Sequence, residues 1–375
     1  MKINGANDMN NLKSLIPNQV KEILFQIKNR DFINSYTEII QKKLQYKDEK
    51  KRLIILGTPS FGNLGDHAIT EAEMMFLNDN FKKNEIIEIS FLEYTYAKQS
   101  IQKLIKKNDL IFIHGGGFLG TLWFSAEKMV REIITTFNNN QIIIFPQSIY
   151  FDEDKKSEIG NTYRVFNSHP NITILTRDRR SFNFAIEHYP KNNRIEFVPD
   201  IVTYLNEDNL DNEREGILFC LRTDKEKINN PKIQEIYMKL EEKGINCEIT
   251  DTVVDDNFEG EIRKVYLNSK FEQFSKAELI VTDRLHGMIF SLITGTPCIA
   301  FDNVSKKVSG VYEWIKNIGY IICITPENDY LISDIDKLIL SLKKQSMNGY
   351  WMHNELQQKF DSLKEIIQDE IDENE

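Results

Sequence analysis

The sequence predicts an α/β protein made of two Rossmann-like domains that face each other across a cleft, with helices added at both ends. Three observations lead there. At 375 residues the chain exceeds the size at which a single hydrophobic core ordinarily keeps growing. Two consecutive series of short Ile/Leu/Val/Phe runs alternate with helix-periodic segments, the pattern of parallel strands covered on both faces. One polar segment, NEDNLDNEREG at residues 206–216, separates the two series.

Residues 1–50 read as a helical lead-in. Val20, Ile23, Leu24 and Ile27 share one helix face, and Phe32, Ile33, Tyr36, Ile39 and Ile40 repeat the pattern before the charged run YKDEKKR. Residues 51–205 form the first domain, with strand-like runs LIILGTP, EIIEISFL, LIFIHGG, QIIIFPQ, ITILTR and RIEFVP. HAITEAEMMFLND and SAEKMVREIITTF are helical stretches between them. Residues 216–345 form the second domain, with runs GILFCLR, INCEITDT, LIVTDR, PCIAFD and IICIT. Residues 346–375 hold a last helix, starting near Trp351, and an acidic tail. Open α/β sheets bind ligands beyond the C-terminal ends of their strands, so the residues just after each run are the candidates for chemistry.

Composition removes several classes. A formal net charge of −10 argues against a nucleic-acid partner, which needs a basic surface. It leaves room for a basic pocket in one cleft. No run of about 20 apolar residues occurs, so no transmembrane helix is expected and any membrane association is at most peripheral. The first residues lack an apolar signal core, and the four cysteines, Cys220, Cys247, Cys298 and Cys323, are dispersed. They read as reduced, buried thiols of a cytoplasmic protein, working for membrane-bound substrates at the inner face. No metal is expected: the run Asp152-Glu153-Asp154 reads as a solvated loop.

The strand LIVT leads into DRLHG and then the apolar helix MIFSLITG. Arg284 and His286 therefore stand at a helix start, where free N–H groups and the helix dipole attract an anion and a guanidinium adds a fork of donors. The structural alternative is that Asp283 caps the helix, Arg284 pairs with it and His286 is a core residue. Strand ITILT ends in RDRRSF, which aims Arg177 at the cleft and leaves Arg179 and Arg180 solvated. In GTPSFGNLGDHAIT, Asp66 reads as an N-cap, and the Gly-rich loop fits a ligand loop or a plain βα turn equally well. HGGGFLG resembles an oxyanion-hole segment, but no GxSxG nucleophile elbow accompanies it. Its glycines let the backbone approach a ligand or a neighbouring loop, and His114 is a ligand contact or a core histidine.

Taken in order, GTPSFGNLGDHAI, IFIHGGGFLG, FPQSIYF, TRDRRSF, FVPDIV, LRTDKE and VTDRLHGMIFSLITGTPCIAFDN resemble the polysaccharide pyruvyltransferase family over about residues 50–330. The resemblance implies a GT-B-like fold with the site in the interdomain cleft. It implies transfer of pyruvate from phosphoenolpyruvate to two hydroxyls of a sugar in a polysaccharide or its precursor, giving a ketal and phosphate. No cofactor is implied, since phosphoenolpyruvate is a co-substrate; the acceptor is a sugar or lipid-linked glycan. By the same resemblance, phosphoenolpyruvate is held by Arg284, Leu285 through its backbone, His286, Arg177 and a lysine after the DN pair, for which both Lys306 and Lys307 stand. Acceptor contacts fall to the first-domain loops, at Asn63, Asp66, His114, Gly116, Gly117 and Gln147, with Phe61, Phe118 and Trp123 available for stacking on a sugar.

Phosphoenolpyruvate carries a carboxylate and a phosphate and must be protonated on its methylene carbon, so cations, a helix start and an acid are all needed. His286 has the suitable unperturbed pKa for the acid, or serves as phosphate stabiliser, and Arg177, which the resemblance also casts as the acid, suits an electrostatic clamp. The rivals on this fold are a glycosyltransferase or epimerase using a nucleotide sugar, and a non-catalytic glycan-binding protein.

Overall fold

The computed structural model describes residues 24–45, 50–191, 193–207, 213–224, 226–227, 229–303, 305–326, 335–346 and 352–372. The expected helix face at Val20 and Ile23 and the centre of the polar segment at 208–212 lie outside these residues. In chain order the elements are α1 (Arg30–Lys43), β1 (Arg52–Thr58), α2 (Leu64–Asn80), β2 (Glu85–Ser90), α3 (Phe91–Leu104), β3 (Leu110–Ile113), β4 (Gly116–Gly120), α4 (Phe124–Thr136), β5 (Ile142–Tyr150), α5 (Ser157–Asn167), β6 (Ile172–Thr176), α6 (Arg179–His188) and β7 (Arg194–Phe197). After a 3₁₀ turn at Ile201–Tyr204 come β8 (Ile217–Cys220), α7 (Pro231–Glu242), β9 (Cys247–Thr250), α8 (Ile262–Ser275), β10 (Leu279–Thr282), α9 (Leu285–Ile293), β11 (Cys298–Phe301), α10 (Lys307–Tyr312), β12 (Ile321–Ile324), α11 (Ile335–Ser346) and α12 (Met352–Asp372).

The first sheet runs β2-β1-β3-β5-β6-β7 with β4 also on β5, and the second runs β12-β11-β10-β8-β9. Every strand pair is parallel. This is the expected pair of Rossmann-like sheets. Alternation along the strands sends neighbouring side chains to opposite layers. Ile54, Leu56, Ile111 and Ile113 face an outer layer with Ile101 of α3 and Ile133 of α4. Leu53, Ile55, Leu110 and Phe112 face an inner layer that also contains Leu218, Ile280 and Cys298 of the second sheet. The outer face of the second sheet has its own layer around Phe219, Val281 and Phe301.

The inner layer therefore joins the two sheets. The last helix completes it. Phe360 and Leu363 of α12 are buried there, with Phe360 at 6.1 Å from the Phe76 ring and 5.1 Å from that of Tyr204. Further along α12, Glu370 accepts from Thr173 Oγ1 at 2.5 Å, beneath the first sheet. The C-terminal helix expected as an appendage thus crosses back to the first sheet. At the opposite side, Leu64 N donates to Thr252 O and Val254 N to Gly62 O, each at 2.8 Å, stitching the β1–α2 loop to the segment after β9. Glu259 accepts from Ser60 Oγ at 3.0 Å and from Tyr36 Oη at 3.3 Å, which ties α1 to the second half of the chain as well.

Phe360→Ala should cost about 3–5 kcal/mol, the usual range for truncating a buried phenylalanine. The checking measurement is the urea midpoint, and it should report loosening of both sheets together because the inner layer is common to them.

Candidate active site

The C-terminal ends of the strands in both sheets meet at one seam. β1 delivers Asn63, whose side chain accepts from Gly65 N at 3.0 Å and caps α2. Asn63, and not Asp66, is therefore the N-cap; Asp66 lies in the first turn, where its carboxylate accepts from Asn63 Nδ2 at 2.8 Å. From the other sheet, β10 delivers His286 in the first turn of α9. The two helix starts abut: a Cβ on Gly65 would sit 2.1 Å from His286 Nδ1. Only glycine lets the imidazole occupy that place.

Around this contact stand charges from both domains. β6 ends at Arg177, a buried guanidinium whose Nη1 donates to Asp200 Oδ2 at 2.7 Å and whose Nε donates to Ser148 Oγ at 2.9 Å. The loop after β11 supplies Lys307, which pairs with Glu226 Oε1 at 2.8 Å. A Cβ on Gly117 would lie 3.0 Å from Arg177 Nη2 and 3.7 Å from Lys307 Nζ, so one cation from each sheet converges on the same point. His286 Nε2 is 3.8 Å from Asp200 Oδ2 and has no hydrogen-bond partner among the described residues.

Burial sets the proton balance here. It pushes the His286 pKa down to about 3, against the pull of Asp200, with Arg177 and Lys307 pushing the same way. It also pushes the Asp66 carboxyl up and the Lys307 ammonium down. His286 is accordingly a neutral imidazole in this arrangement. The seam is rich in donors, and a negative charge placed in it favours the protonated imidazole.

The profile of the family described as polysaccharide pyruvyl transferase matches residues 63–305, from the α2 cap to the loop before α10. The chain belongs to that family. General stress protein 30 of Bacillus subtilis is 30% identical over 341 residues, covering 90% of this chain and 98% of that protein. Pyruvyl transferase 1 of Schizosaccharomyces pombe is 25% identical over 323 residues, covering 80% of this chain and 78% of that one. Among solved structures, a protein from Klebsiella pneumoniae aligns at TM-score 0.49 and 19% identity over 80% of this chain and 98% of its own.

In this pyruvyl transferase family member the expected donor-site residues separate. Arg177, His286 and Lys307 come together at the seam. Lys306 does not: its side chain is exposed, and its backbone, at φ 55°, turns the chain into α10. Leu285 is buried at the start of α9. Arg284 is committed to carboxylates, donating to Asp251 Oδ1 at 2.7 Å, Asp251 Oδ2 at 2.8 Å and Asp224 Oδ2 at 2.6 Å. It does not pair with Asp283, which instead accepts from Arg222 N at 2.8 Å, and α9 has no side-chain cap. Arg179 and Arg180 are exposed, as is most of the 152–154 run.

On the first-domain side, Asp66, His114, Gly116 and Gly117 line the same seam. At Gly116, φ 142°, a Cβ would sit 3.1 Å from the Phe118 ring and 3.8 Å from Asp66 Oδ1. Gln147 Nε2 donates to His114 O at 2.8 Å, so this side chain holds the loop. Phe61 and Trp123 keep about half and two-fifths of their surface exposed, at 48% and 39%, whereas Phe118 stacks on the His114 ring at 6.2 Å between centroids.

Asp200, Arg222, Asp224, Glu226 and Asp251 were not singled out from sequence. All follow strands β7, β8 and β9 within a few residues, and that position is the signal that could have found them. Arg222 is buried between Asp224 and Glu226, and its Nη1 has no partner among the described residues.

Gly65→Ala should force the two helix starts apart and cost about 1–3 kcal/mol, the range for overpacking. A thermal melt checks it, and an unchanged midpoint would mean that the seam opens freely. A second expectation concerns acid. Burial also lowers His67 to about 4, so both His67 and His286 stay neutral in the fold but take up protons when unfolded, below pH about 6.5. Each then removes about 1.4 kcal/mol of stability per pH unit as pH falls from there toward its folded pKa. His67→Gln should flatten that acid slope relative to wild type between pH 6.5 and 4, measured by denaturant unfolding.

Proposed function

We propose that this protein transfers pyruvate from phosphoenolpyruvate onto two hydroxyls of a sugar in a polysaccharide or its lipid-linked precursor, forming a ketal and releasing phosphate. One observation carries the reading. A buried arginine of the first sheet and a half-buried lysine of the second converge on the same point beside Gly117, near a histidine at a helix start whose Nε2 has no hydrogen-bond partner among the described residues. A small dianionic or trianionic ligand with two acidic ends fits that set.

Arg177 is locked by Asp200 and Ser148, so its remaining edge, Nη2, is held in place before any ligand arrives. Lys307 faces it from the other sheet. A phosphate between them raises the His286 pKa by supplying a counter-charge that offsets the desolvation of the imidazolium. The imidazolium so formed protonates the methylene carbon, an oxocarbenium centre develops at C2, and a sugar hydroxyl attacks it. Attack by the second hydroxyl expels phosphate. Of the two hydroxyl protons released, one balances the proton placed on C3 and the other leaves on phosphate. Arg177 stabilises the charge and does not donate a proton, since a guanidinium with a pKa above about 12 is a poor acid.

The deciding measurement is phosphate release from phosphoenolpyruvate that depends on a glycan acceptor. Release that needs a nucleotide sugar would overturn the reading in favour of glycosyl transfer. Within it, Lys307→Met should weaken phosphoenolpyruvate binding by at least tenfold, whereas Lys306→Met should leave binding within about twofold, both read by calorimetry. Phosphoenolpyruvate binding near pH 7 should also take up protons, because His286 starts far below its unperturbed pKa of about 6.5. The observed enthalpy should therefore vary with the ionisation enthalpy of the buffer, and His286→Gln should reduce that dependence.

A further inference from the structure

Outside the donor-side residues lies a second histidine with a carboxylate behind it. Glu73, on the third turn of α2, is fully buried. Its Oε2 lies 2.9 Å from His114 Nδ1, and its Oε1 accepts from Gly115 N at 2.7 Å. His114 is itself buried, at the C-terminal end of β3, and its main-chain oxygen is held by Gln147. Nε2, across the ring from the bond to Glu73, has no hydrogen-bond partner among the described residues. Gly116 and Gly117, which follow in the same loop, come close to Asp66 and to Arg177 and Lys307. The His114 ring thus adjoins the seam from the first-domain side, while His286 reaches it from the second.

We propose that Glu73 and His114 form the acceptor-side base: Glu73 fixes the proton of neutral His114 on Nδ1, and bare Nε2 takes the proton of the attacking sugar hydroxyl. This rests on the pyruvyl-transfer reading above and adds the partner that reading lacks. As the hydroxyl oxygen bonds to C2, its O–H bond breaks and the proton passes to Nε2, giving an imidazolium stabilised by the Glu73 carboxylate. The proton then leaves on the departing phosphate or returns to solvent. Glu73 is a positioning residue: it touches His114 and the loop, and not the reactants. Two features separate this pair from a core ion pair. The carboxylate spends its second oxygen on the backbone of the same loop, which fixes the ring's orientation, and the ring's outer nitrogen is buried with no hydrogen-bond partner among the described residues.

Other charges surround the pair. Asp66 faces His114 from the first turn of α2, Arg177 and Lys307 act on that same carboxyl, and the Glu88 charge acts on Glu73.

The test uses the full-length protein, with phosphoenolpyruvate and a panel of methyl hexopyranosides as acceptor probes. Long-range nitrogen–proton NMR of His114 at pH 7 should show a neutral ring protonated at Nδ1. Glu73→Gln should lower acceptor-dependent phosphate release by at least about 100-fold, the usual worth of a positioned base, while phosphoenolpyruvate Kd by calorimetry stays within threefold. It should also move the acidic limb of the rate profile to lower pH, since an imidazolium beside a neutral amide lacks the counter-charge that a carboxylate supplies. Glu73→Asp should recover part of the rate. A proton found on Nε2 in the wild type, or a Glu73→Gln variant with normal rate and an unshifted limb, overturns the dyad. A wild-type protein that does not bind phosphoenolpyruvate overturns the underlying reading instead, and the dyad's catalytic role with it.

Discussion

Two helix starts, one from each sheet, are pressed together where Gly65 meets the His286 ring, and the rest of the site is arranged around that contact. It works because α2 begins with a cap supplied by Asn63 and a glycine with no side chain, and because α9 begins with no cap at all. Both sets of free N–H groups and both positive dipole ends therefore point into one small volume. The inner hydrophobic layer shared by the sheets and the return of α12 to the first sheet hold the halves at this distance. Without them the contact would be an open cleft of two separate surfaces.

Charges at the seam are mostly paired before any ligand arrives. Arg177 has Asp200, Lys307 has Glu226, Arg222 has Asp224 and Glu226, and Arg284 has Asp224 and Asp251. Buried pairs of this kind add little net stability, because desolvation offsets their attraction. What they provide is placement: each carboxylate fixes one edge of a cation and leaves another edge for use. The exception is the histidines. His286 and His114 each keep a buried nitrogen without a partner among the described residues, and an imidazole is the side chain suited to moving a proton.

Much of the architecture was legible in the sequence. The apolar runs from LIIL to IICI became the strands of two parallel sheets, because a strand buried on both faces must be apolar throughout and a parallel crossover needs a helix. The placement of Arg177 and His286 at strand ends was legible for the same reason. Three features were not. The choice between Lys306 and Lys307 depends on one left-handed backbone position that turns Lys306 outward. Arg284 looked like a ligand donor until Asp251 and Asp224, from strands far away in the chain, claimed its guanidinium. Glu73 lies within the helical stretch HAITEAEMMFLND, and only the fold sets it against His114, 41 residues on.

The sequence by itself determined the fold class, the family and the strand ends where chemistry would collect, since these follow from local periodicity and short motifs. Tertiary structure decided which charged residues at those ends are used up by one another and which remain free. It also decided that Gly65 and Gly117 serve as contact points and not merely as turns. The physical reason is that pairing and desolvation act between side chains brought together from distant segments, and no window of sequence contains both partners.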